Sequence, residues 1–161
     1  MKQIDATLMD SLIKQAKESP RQRAHFNFHP ELNDPVQRLC MAIEPGSYVR
    51  PHRHFDPHTW EVLMILRGSL AILVFDDTGK VLERTVLVAG GRIPAAELPQ
   101  DAWHTLVSLE YGTVVFEVKQ GPYRPIGETN SVSWAPAEGK PEAVRVLEWF
   151  RNAEAGDVPL I

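Results

Sequence analysis

Between residues 36 and 119 the chain breaks into short apolar runs of strand length, and this texture restricts the fold more than any other feature. The runs are "VQRLCMAI" (36–43), "WEVLMILR" (60–67), "SLAILVF" (69–75), "VLERTVLV" (81–88) and "TVVFEVK" (113–119). Turn residues separate them: "EPG" at 44–46, "DDTG" at 76–79, "AGG" at 89–91 and "EYG" at 110–112. Regularly spaced strands with no helical pattern between them predict an all-β sandwich or barrel.

Helical periodicity is confined to the ends. Over 5–19, Leu8, Leu12, Ile13 and Ala16 share one face, with Asp5 or Thr7 to cap the start and Pro20 after the end. From Pro141 to about Glu154, Ala143, Val146, Leu147 and Phe150 share another. The expected organisation is one domain over 1–161, with a helical arm (1–35), a β core (36–120), and a Pro/Gly-rich arm leading to the C-terminal helix (121–161). Tyr123 and Trp134 favour order in that last arm, because large aromatic groups are costly to leave in water.

Composition excludes several classes of function. A formal charge of −4 and a pI near 5.9 give no basic surface for nucleic acid. No apolar stretch has the length of a membrane span, and the N-terminus lacks the apolar region of a secretory signal. The single cysteine, Cys40, rules out an internal disulfide. Together these predict a cytoplasmic protein.

Chemistry concentrates in "GSYVRPHRHFDPHTWEVLMILRG" (46–68), which holds three of the six histidines. In extended backbone His52 and His54 point the same way, a good spacing for two imidazoles on one metal ion. Glu61 lies an odd number of residues beyond His54, so an unbroken strand would carry it to the opposite face. A turn around Pro57 is therefore needed to restore its phase. His104, in "PQDAWHTL" (99–106), can supply a ligand from a distant strand. Read by residue type alone, the cluster is either a metal site or a histidine-rich polar loop.

The frame G-x5-H-x-H-x6-E-x6-G, followed by P-x4-H, resembles the two signature motifs of the cupin superfamily. That resemblance implies a double-stranded β-helix (jelly-roll) barrel in which His52, His54, Glu61 and His104 bind one divalent metal. Two departures stand out. The gap before Glu61 is longer than usual, making His58 a candidate extra metal or pocket ligand, and Asp101 replaces a glycine of the second motif. Across most of the chain, "SPRQRAHFNFH", "DPVQRL", "EPGSYVRPHRH", "FDDTGKV", "WHTL" and "FEVKQGPYRP" are similar to the WbuC family of cupin-fold metalloproteins. This resemblance implies a place in bacterial surface-polysaccharide metabolism.

Three imidazoles and a carboxylate suit Zn, Fe, Mn, Ni or Co. Candidate substrate-binding residues are Arg67, on the predicted face of Glu61; Arg23 and His29, in a local basic segment with Arg21 and His25; and Tyr123, beside the expected pocket mouth. No catalytic acid or base can be named. The expectation is a metal-dependent enzyme of isomerase, hydrolase or dioxygenase type acting on a small polar molecule such as a sugar or sugar nucleotide. The competing expectation is a non-catalytic metal-containing sugar-binding or regulatory module. A homodimer would cover exposed strand edges.

Overall fold

A computed structural model describes residues 1–54 and 59–159. The chain is mostly β, with two antiparallel sheets and two helices. α1 (Ala6–Glu18) precedes β1 (Arg23–Asn27), β2 (Val36–Ile43), β3 (Glu61–Arg67), β4 (Ser69–Phe75), β5 (Val81–Val88), β6 (Ala95–Leu98), β7 (Trp103–Ser108) and β8 (Thr113–Gln120). A short 3-10 turn (Glu128–Asn130) and α2 (Ala143–Asn152) complete the order. One sheet runs β1-β2-β8-β3-β6 and the other β5-β4-β7.

Period-two alternation sorts the side chains. Ile43, Leu63, Ile65 and Val115 of the larger sheet meet Leu70, Ile72, Leu87 and Leu106 of the smaller one, forming the inner core. The opposite face of the larger sheet, with Cys40, Ala42 and Val114, is covered by Leu12 and Ala16 of α1. Asp5 caps that helix by accepting the Leu8 N–H at 2.8 Å. The outer face of the smaller sheet, with Ala71, Leu73 and Val107, is covered by Ala143, Val146, Leu147 and Phe150 of α2, the apolar stripe read from its sequence.

Three features differ from expectation. Residues 23–27, assigned from the sequence to the N-terminal helical arm, instead pair with β2 along their whole length, from Arg23 opposite Ile43 to Asn27 opposite Leu39. Tertiary pairing here overrides a weak local strand signal. β6 was not expected at all and pairs with β3. The expected closed barrel is, among the described residues, two separate sheets. Single-residue bridges from His52 to His104 of β7 and from His52 to Ser131 extend the smaller sheet beyond its edge strand.

Those bridges knit the C-terminal arm to the rest of the molecule. The Val132 N–H donates to Pro51 O and the Arg53 N–H to Asn130 O. Arg50 fastens the same arm: its guanidinium donates to Ala135 O at 3.1 Å and Val132 O at 2.8 Å, and pairs with Glu128 at 3.1 Å. Arg50→Ala should loosen the arm without unfolding the sheets. The Val132 and Arg53 amides should exchange at least roughly tenfold faster, the effect expected from even one of these charge-assisted hydrogen bonds, while β2 and β8 amides keep their rates. Unchanged exchange at Val132 would show that Arg50 does not hold the arm.

Candidate metal centre

The site begins with a backbone pair. The His52 N–H donates to His104 O at 3.0 Å and the His104 N–H donates to His52 O at 2.9 Å. Directly opposed residues of an antiparallel pair project to the same face, and the two rings lie 4.4 Å apart. His54, two residues on, follows on that face at 5.1 Å from His52 and 5.5 Å from His104. Ligand nitrogens of all three lie within 4.8 Å of one another.

Glu61 reaches the cluster from the other sheet. It opens β3 and faces inward with Leu63, and its Oε2 lies 3.0 Å from His54 Nε2 and 3.4 Å from His104 Nε2. The odd spacing from His54 is resolved by a change of sheet: residues 52–54 border β7, whereas Glu61 belongs to the sheet opposite. Residues 55–58, His58 included, lie outside the described residues.

Hydrogen bonds at the far ring nitrogens orient two of the imidazoles. His52 Nδ1 donates to Arg50 O at 3.0 Å and His104 Nδ1 to Ala102 O at 2.9 Å. With Nδ1 so engaged, each Nε2 faces the cluster. In the neutral ring its lone pair is free for a metal, the usual support of a metal-binding histidine, and in protonated His104 that nitrogen faces Glu61 as a donor instead. Burial, reinforced by His104 and His54, holds His52 well below the ordinary imidazole range. For His104 burial acts in the same direction, but the hydrogen bond and charge of Glu61 outweigh it and its pKa is raised. Burial opposes ionisation of Glu61, yet its hydrogen bonds from His104 and His54 hold it well below the usual carboxylate range. A buried carboxylate facing three convergent imidazoles is a donor set into which a divalent cation fits.

His52, Glu61 and His104 line a cavity of about 440 Å³, within the size range of small-molecule sites. Arg23 is on its wall, held by Ser47 Oγ at 3.1 Å, Tyr48 O at 3.0 Å and an ion pair with Glu138. Tyr123 also lines it and is exposed. His29 is elsewhere: its Nδ1 lies 3.0 Å from the backbone N and O of Arg38, and it lines a neighbouring cavity. Arg67 is a correction. A bulge between Ile65 and Arg67 shifts the strand phase, so Arg67 turns to the α1 side and pairs with Asp10 at 2.6 Å. Cys40 is wholly buried beneath α1, and burial pushes its thiol up to about 11.

Further charged residues line the cavity, among them Arg50 and Lys119, which were not read as ligand-binding from the sequence, and Glu117. Arg50 stands two residues before His52. Lys119 stands opposite Glu61 in the β3–β8 register and pairs with Glu117 at 2.7 Å. Glu117 is a buried carboxylate in an otherwise apolar stretch of β8. Burial, together with the charge of Glu61, pushes it up to about 7. The second glycine of the frame has a structural reason: Gly68 has φ +73°, and a Cβ there would lie 2.6 Å from Thr113 Oγ1. Asp101, standing where the cupin motif has glycine, also adopts a left-handed conformation at φ 57°. Asp tolerates that region better than most residues, so the turn before His104 survives the substitution.

Among solved structures the fold is similar to that of oxalate oxidase in complex with the substrate analogue glycolate. Identity is 19% and the TM-score 0.51, over 68% of this chain and 56% of that one. It is also similar to the plu4264 protein of Photorhabdus luminescens, at 15% identity and a TM-score of 0.50, over 75% of this chain and 87% of that one. A cupin superfamily protein of Desulfitobacterium hafniense aligns at 15% identity and a TM-score of 0.48, over 61% of this chain and 76% of that one. At these identities the likeness is one of fold alone. In sequence, residues 4–87, just over half of the chain, match the family model described as a domain of unknown function, DUF6016, and the chain belongs to that family.

Proposed function

We infer that this protein binds one divalent transition metal through His52, His54, His104 and Glu61 and acts as a metal-dependent enzyme on a small polar molecule. The convergence of three imidazoles and a buried carboxylate carries this reading, with His52, His104 and Glu61 on the wall of the 440 Å³ cavity. A metal with open coordination positions supplies Lewis acidity toward a carbonyl or hydroxyl oxygen, or activates a bound water. The chain's own residues supply the rest. Arg50 O and Ala102 O hold two rings in orientation, Leu106, Met41 and Val49 give the cavity apolar wall, and Arg23, Lys119 and Glu117 place polar groups around it.

A sugar or sugar nucleotide is the ligand class this mixture of walls favours, since apolar patches and paired charges suit a polyhydroxy body. The WbuC resemblance of the six quoted segments supports a role in surface-polysaccharide metabolism.

Untagged wild-type protein should carry close to one divalent metal per chain by elemental analysis. His54→Ala and His104→Ala should lose it, and His58→Ala should keep it. Wild-type protein that purifies without metal and takes up none on addition would contradict the reading.

Affinity should also depend on pH with a defined sign. Metal binds the neutral ring, and the raised His104 pKa means protons compete from above the ordinary value of 6.5 downward. Affinity should therefore be full in mild alkali and fall by about tenfold per pH unit for each proton displaced as pH drops through that value. Competition against a chromophoric chelator measures this, and a flat profile from neutral pH into mild acid would exclude histidine ligation.

A further inference from the structure

The five-stranded sheet is wider than the three-stranded sheet facing it. Its inner face continues past the metal cavity, across β8 and β2 to β1, as a groove of about 290 Å³. The groove and the cavity share Met41, Glu117, Lys119 and Tyr123 as walls, so the two spaces adjoin. Register places Gln37, Lys119 and Glu61 in one row across β2, β8 and β3. Two strand spacings therefore separate the start of the groove from the histidine cluster, about 10 Å.

The groove is rich in donors. Its walls include His25, Asn27, His29, Lys119 and Tyr123; among the described residues Glu117 is their only carboxylate, and it is paired to Lys119. His29 is buried, and its Nδ1 lies 3.0 Å from both the N–H and the carbonyl oxygen of Arg38. Its Nε2 has no hydrogen-bond partner among the described residues, an arrangement buried polar groups seldom keep. Positive charge gathers around His25: burial lowers its pKa, and the charges of Arg21, His29, Lys119 and Arg23 lower it further.

We propose that this groove is an oxyanion subsite, taking the carboxylate or phosphate substituent of a polyhydroxy ligand whose other end reaches the histidine cluster. The part concerning the ligand's other end rests on the metal-site reading above; the groove stands on its own walls. Oxyanions match the wall chemistry because imidazole N–H, ammonium, amide and phenol groups all donate to them, and charge-assisted bonds of this kind are the strong ones.

The test is titration of the zinc-loaded full chain with inorganic phosphate and, separately, with acetate, followed by NMR at the histidine ring resonances. His25 and His29 should shift saturably with at least one of the two anions. Saturation by phosphate alone would assign a phosphorylated ligand, and by acetate alone an acid. Lys119→Gln and His25→Gln, the latter at an exposed position, should each weaken binding about tenfold, with zinc content unchanged. His54→Ala, expected to lose zinc, should retain the His25 and His29 shifts, so failure of the metal site and failure of the groove are separable. The proposal is overturned if neither anion saturates, if only His52 and His104 respond, or if both groove variants bind as tightly as wild type.

Discussion

The two hydrogen bonds between the backbones of His52 and His104 are the constraint on which the site depends. They fix register between a segment that has left the sheets and the edge of β7, and so put two imidazoles on one face. A slip of one residue would turn one ring away from the other. The remaining contacts reinforce that register. Arg50 clamps the arm on the far side, Pro51 and Arg53 bond to it through the backbone, and Thr105 Oγ1 donates to Val49 O at 2.6 Å. The histidine-bearing segment is held from both sides by groups that take no part in the cluster.

Across from it, Glu61 brings a charge that burial alone would not tolerate. The cluster reconciles this by facing the carboxylate with His54 and His104, whose hydrogen bonds keep it ionised. A divalent cation would meet the same charge. The charges beyond the cluster are likewise paired: Arg23 with Glu138, Arg50 with Glu128, and Lys119 with Glu117. Pairing of this kind leaves a cavity that is polar without a large net charge. Such a cavity suits hydroxyl-rich ligands, while the groove with His25, Asn27 and His29 lies farther along the sheet.

Much of this was legible in the sequence because period-two and period-3.6 patterns are local. The apolar stripes of α1 and α2, the strands at 36–43, 69–75 and 81–88, and the shared face of His52 and His54 all follow from spacing. What escaped was set by distant partners. β1 is a strand because β2 offers it an edge, not because "RAHFN" insists on it. Arg67 left the predicted face because a bulge opposite Val114 and Val115 broke the alternation, which no count by twos can foresee. The phase of Glu61 looked wrong only while residues 52–61 were imagined as one strand in one sheet. Arg50 could have been found by stepping two residues back from His52, already singled out, and Lys119 by stepping two residues on from Glu117, the carboxylate in the apolar run of β8.

Whether one metal sits among His52, His54, His104 and Glu61 is tested most directly by X-ray absorption of the cobalt-loaded protein. Ligation by these four residues predicts a first shell of nitrogen and oxygen only, with the outer-shell scattering of about three imidazole rings at bond lengths of roughly 2.0–2.2 Å. A shell containing sulfur, or one without imidazole scattering, would place the metal elsewhere and contradict it.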